Sequence, residues 1–150
     1  MSRVWLAALG AAAVIACGGD DDDGNGPTDF FPDVAGVYTV QGQFDGVDPS
    51  DMSFTGTVTI EQESLESSIL TGTASITIVS SSGNTTVSNA ELLNAGVDLG
   101  GNVAFTIEQG AVTSWDFTGE KAGDLLTGTH DLTLGTESFT GTWSGQRPAP

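Results

Sequence analysis

Few residues in this chain are equipped for chemistry. Among 150 residues there is one imidazole, His130, and one thiol, Cys17. A Ser-His-Asp relay would have to centre on His130. An ordinary zinc site fails for want of further His or Cys ligands, and a lone cysteine builds no disulfide framework. Acids are plentiful, 20 in all, and two of them could in principle form a glycosidase-like pair. Asp21-x-Asp23-x-Asn25-Gly26 matches the front half of a calcium loop, with oxygen ligands at alternate positions and a turning glycine. It is a weak candidate: position twelve, where a bidentate Glu closes such a site, is Pro32. The run reads as a solvated charge tract. No metal, cofactor or enzymatic activity is expected.

These residues must be positioned by strands. From Val34 to Arg147 the chain is rich in Thr, Val, Ile, Phe and Gly, with alternating rather than helical periodicity. Four segments share one pattern: Phe54-Thr-Gly-Thr57, Leu70-Thr-Gly-Thr73, Leu126-Thr-Gly-Thr129 and Phe139-Thr-Gly-Thr142. Their unequal spacing rules out a solenoid, so each motif marks one strand. Residues i and i+2 share a face. The inward set is therefore Phe54, Gly56, Val58 and Ile60, then Leu70, Gly72, Ala74, Ile76 and Ile78. Glu61, Glu108, Asp116, Glu120 and Asp131 fall on the opposite, threonine face, which argues against a buried carboxylate pair.

Strands are predicted near 35–44, 53–62, 68–79, 84–92, 101–109, 112–120, 124–134 and 137–146. The Glu91–Gly96 stretch reads as one helical turn at most. The fold class is all-β: an antiparallel up-and-down meander of about eight strands closing into a small barrel. An Ig-like β-sandwich is the alternative, favoured if the first and last strands do not pair. Gly135-Thr136, as a two-residue turn with glycine first, sets Leu132 opposite Phe139, His130 opposite Gly141 and Gly128 opposite Trp143. Ala122-Gly123 as the preceding turn places Lys121 opposite Asp124, with which it pairs, Trp115 opposite His130, and Phe117 opposite Gly128. Trp115, Phe117, His130, Phe139 and Trp143 thus line the interior. They suit either a ligand pocket with one polar anchor or a core whose histidine fills space.

The N-terminal segment is of another kind. Arg3 precedes an apolar run from Val4 to Ile15, too short for the roughly 20 residues that span a bilayer. The run ends in Val14-Ile15-Ala16-Cys17, which resembles the lipobox of bacterial lipoprotein precursors. The resemblance implies removal of residues 1–16 and lipidation of Cys17. It also implies an exported protein held in the cell envelope, in the outer membrane, by a lipid anchor. Residues 17–33 then form a lipidated, acidic, flexible tether of about 20–25 Å reach. Residues 34–147 form the barrel domain and 148–150 a disordered tail. Loss of Arg3 leaves Lys121 and Arg147 against all 20 acids. That balance repels phosphate backbones and excludes nucleic acid as a partner.

The Val34-Ala-Gly-Val-Tyr-Thr39 opening and the closing Gly141-Thr-Trp-Ser-Gly-Gln146 resemble calycin-type barrels, the lipocalin-like and avidin-like group. The likeness is strongest to lipocalin-like bacterial lipoproteins. It implies a non-catalytic protein that binds a small apolar or amphipathic ligand inside the barrel. The other reading is a surface or periplasmic interaction module with a packed barrel and no small-molecule ligand.

Overall fold

The computed structural model describes residues 29–149. Cys17 and the calcium candidates Asp21, Asp23 and Asn25 lie outside them. Nine strands follow one another: β1 (Gly36–Phe44), β2 (Met52–Gln62), β3 (Leu70–Ser80), β4 (Gly83–Glu91), β5 (Leu93–Val97), β6 (Asn102–Gln109), β7 (Val112–Ala122), β8 (Leu125–Leu134) and β9 (Glu137–Gln146). They form one sheet in the order β4-β3-β2-β1-β9-β8-β7-β6-β5, every ladder antiparallel. The first and last strands pair from Thr39↔Gln146 to Phe44↔Gly141. The fold is therefore an up-and-down barrel, nearly closed, and not a sandwich.

Alternation does what period two requires. Phe54, Val58, Ile60, Leu70, Ala74, Ile76 and Ile78 are buried, while Glu61, Glu108, Asp116, Glu120 and Asp131 are exposed. The β8–β9 hairpin has the predicted register, with Leu132↔Phe139, His130↔Gly141 and Gly128↔Trp143. The β7–β8 hairpin does not. Its pairs are Phe117↔His130, Trp115↔Leu132 and Ala122↔Leu125, two residues from expectation. Gly123, at φ +62°, takes the first central place of the turn and Asp124 the second. This is the same glycine-first geometry as Gly135, at φ +60°. A slip of two preserves every face, so the inward set survives it.

The predicted 84–92 strand is β4, but the stretch read as a helical turn at Glu91–Gly96 is corrected: it holds a ninth strand, β5, set at a corner after Leu92. β4 pairs with β3 and β5 with β6, and the chain changes partner around Leu92. Asn89 and Asn94 both take φ +50° beside register shifts. Asn tolerates that left-handed region better than other residues with side chains. This corner closes the barrel. At one end β5 also reaches the start of β3, through an Ile69↔Gly96 bridge and a hydrogen bond from Val97 N–H to the Ser68 carbonyl (2.9 Å). At the other end only a side chain spans the gap. Gln109 Oε1 accepts the Ser88 N–H (2.6 Å), and its Nε2 donates to the Ser88 carbonyl (3.0 Å).

Candidate functional site

Trp115, Phe117, His130 and Trp143 meet inside the barrel, each at most 4% exposed. Phe139 is half-buried and sits against Phe44, ring centroids 6.0 Å apart. Phe44, Phe54 and Phe105 complete the ring cluster. Phe54 meets Trp115 edge-on at 4.8 Å and Phe105 stacks on Phe117 at 4.9 Å. Such offset and T-shaped pairs suit the ring quadrupoles. Glycines make the room. A β carbon at Gly42 would sit on the Phe54 ring, and one at Gly119 would lie 2.8 Å from the Trp143 indole.

His130 is bonded at both nitrogens. Trp115 Nε1–H donates to Nδ1 (3.2 Å), and Nε2 lies 2.9 Å from the Gln43 carbonyl oxygen. An indole nitrogen only donates, so Nδ1 accepts and the proton sits on Nε2, donated to Gln43. The ring is the neutral tautomer. Burial pushes its pKa below the ordinary value, and the Gln43 bond and the charges of Asp131 and Asp45 offset that only in part. The bond to Gln43 crosses from β8 to β1 over Gly141, where a β carbon would clash with both the Gln43 carbonyl and Nε2. His130 thus fastens the barrel where its first and last strands meet.

The other interior polar atoms are also satisfied. Trp143 Nε1–H donates to the Thr118 carbonyl (2.9 Å) and Tyr38 O–H to the Val34 carbonyl (3.0 Å). Among the described residues no buried side-chain nitrogen or oxygen lacks a partner. Nor do any three His, Cys, Asp or Glu side chains there converge as metal ligands.

The larger grooves lie around this core and do not include Trp115, Phe117 or His130 in their linings. One of about 710 Å³ runs over the outer face of β5–β8 between Asn94, Asn102, Thr118, Glu120 and Thr129. A second of about 430 Å³ crosses β1, β2 and β9 at Gly42, where Phe54 and Trp143 contribute to its wall. A third of about 480 Å³ opens at the barrel end away from the chain's entry, between Val47, Met52, Ile78, Leu134 and Phe139. Of the five residues predicted to line a ligand site, Phe139 alone belongs to this mouth.

The expected Lys121–Asp124 pair is replaced by an arginine clasp. Arg147 Nη2 lies 2.8 Å from Asp124 Oδ1, while Nη1 lies 3.5 Å from Asp33 and donates to the Ala35 carbonyl (2.6 Å). The guanidinium ties the entering chain to the β7–β8 turn, and its stem lies over Gly36. Its fork matches carboxylate geometry in a way that an ammonium does not. The only sequence signal was that Arg147 is one of three cations beside many acids. No protein-family model, curated protein or solved structure matches the chain.

Proposed function

We propose that this protein is an exported, lipid-anchored envelope lipoprotein without catalytic activity. Its barrel is a packed scaffold, and it works through its outer surface. One observation carries the choice of a packed interior: both nitrogens of the single interior imidazole are taken up by Trp115 and Gln43. A polar anchor for a ligand would need a free valence, and a general base would need a nucleophile in place of the indole. The exposed positions of Asp116, Glu120, Glu108 and Asp131 support the same reading. The lipobox supports the anchor on Cys17, and the acidic balance excludes phosphate-rich partners.

A small apolar ligand is the second reading, favoured by the mouth at Phe139, Met52 and Leu134. Mass spectra of the purified protein under native and denaturing conditions test the choice. The packed scaffold gives one mass in both. An adduct lost on denaturation, with a change in Trp115 and Trp143 fluorescence as it leaves, overturns it in favour of a carrier.

A further inference from the structure

Six large apolar side chains stand exposed among the described residues, and four of them gather in one place. Phe30 is 65% exposed, Leu65 44%, Ile69 70% and Leu99 55%, all at the end of the barrel where the chain enters. Backbone contacts join their loops. Phe31 N–H donates to the Leu65 carbonyl (2.7 Å), Ile69 bridges to Gly96, and Pro32 lies against Gly101. Val37 stands on the outer wall one residue into β1, and Val79 is alone near the opposite end. Single exposed apolar side chains are ordinary, but a rim of four gathered at one end calls for a partner.

The position of the rim points to what covers it. The sequence continues from Asp29 back to Cys17, twelve residues away. On the tether reading of the sequence, a linker of that length would have an r.m.s. span of roughly 20 Å. A lipid anchor on Cys17 would hold the rim against the bilayer at an effective concentration of about millimolar, so contacts too weak to act alone become populated. A second copy is a poor cover, because each matured copy carries two cations against 20 acids. Glu63, Glu66 and Asp98, in the same loops, select the class of surface: anionic headgroups repel them and zwitterionic ones do not.

We propose that the entry end of the barrel is a membrane-docking surface, with Phe30, Leu65, Ile69 and Leu99 seated in the interface of a zwitterionic bilayer. This rests on the lipid-anchor reading of Cys17. Anchor and rim together then set the orientation of the barrel, with the Phe139 mouth and the β3–β4 and β8–β9 turns facing away from the membrane.

The test uses the full chain, matured in a bacterial host and reconstituted into phosphatidylcholine vesicles. Acylation consumes the native thiol, so Ser64→Cys beside the rim and Val79→Cys far from it each take one environment-sensitive dye. Docking gives a blue-shifted emission at position 64, quenched by bilayer-borne quenchers severalfold more than at position 79. Added anionic lipid weakens it. Combining Ser64→Cys with Phe30→Ser and Ile69→Ser, both at exposed positions, returns the emission to that of water. Water-like emission at both positions, with acylated Cys17 shown by intact mass, overturns docking and leaves the anchor standing. An unmodified Cys17 overturns both. A blue shift that follows protein density rather than lipid places a second copy on the rim and also overturns docking.

Discussion

The two halves of this barrel are bent by different means. From β8 through β9, β1 and β2 to β3, the ladders run without a register shift. Curvature there comes from inward glycines set opposite rings: Gly42 against Phe54, Gly141 against His130, Gly128 against Trp143. The remaining ladders, β3–β4, β5–β6, β6–β7 and β7–β8, each contain a shift. There the wall turns at bulges and at the two left-handed asparagines. The first method uses side-chain volume, the second an extra backbone residue. A volume pattern is written in residue types, whereas a bulge depends on where two strands happen to part.

Gly141→Val should have the largest effect of any single change in the regular half. In the regular half a side chain at this position must push β9 off β1 and cut the His130–Gln43 bond. We expect a loss of about 3 kcal/mol from overpacking and the broken bond combined. Urea titration reads it as a lower midpoint, and an unchanged midpoint would unseat the β1–β9 closure.

The next effect is a pH dependence confined to the same half. His130 is held neutral, its folded pKa below the unfolded value near 6.5. The unfolded chain therefore binds the proton first as pH falls. This contribution to stability is complete above about pH 6.5 and declines below it, by at most about 1.4 kcal/mol per pH unit. Titrating wild type and His130→Phe in urea across this range isolates the contribution. Equal slopes for the two proteins would mean that the imidazole is not held neutral.

The smallest effect belongs to the bulged half. Gln109→Ala removes the two bonds that bridge β4 and β6, at an exposed site, and should cost about 1 kcal/mol. Amide hydrogen exchange locates it. Ser88 should exchange faster while the β8–β9 and β1–β9 amides keep their protection. Uniform acceleration across the barrel would show that both halves open as one unit.

Legibility followed the same division. The β8–β9 register could be read from Gly135-Thr136, because the large and glycine positions matched across that turn in one way. At β7–β8, Ala122-Gly123 and Gly123-Asp124 both offered a glycine, and only the positive φ of Gly123 at the first central position decided between them. The β4–β5 corner was hidden because its two left-handed residues, Asn89 and Asn94, are each followed by alanine rather than by the glycine of a hairpin turn, and only Leu92 separates the two strands. Arg147 gave little sign of its role, since Asp33 and Asp124 come within its reach only after the barrel closes. The interior cluster was legible as a set of residues but not as a bonding arrangement. Parity placed Trp115, Phe117, His130 and Trp143 on one face, yet the second bond of His130 goes to Gln43, 87 residues away.

The order of residues along the chain already dictates the class of fold, the face on which each strand residue stands and the outward position of the carboxylates. These follow from a period of two, and such a period is a property of neighbours along the chain. How the barrel closes, the occupation of both His130 nitrogens and the gathering of four exposed apolar side chains at one end emerge only once the chain has folded. Each depends on strands far apart in sequence meeting at a particular stagger. That stagger is set by the bulges, the glycine contacts and the side chains that reach across once the sheet has curled upon itself.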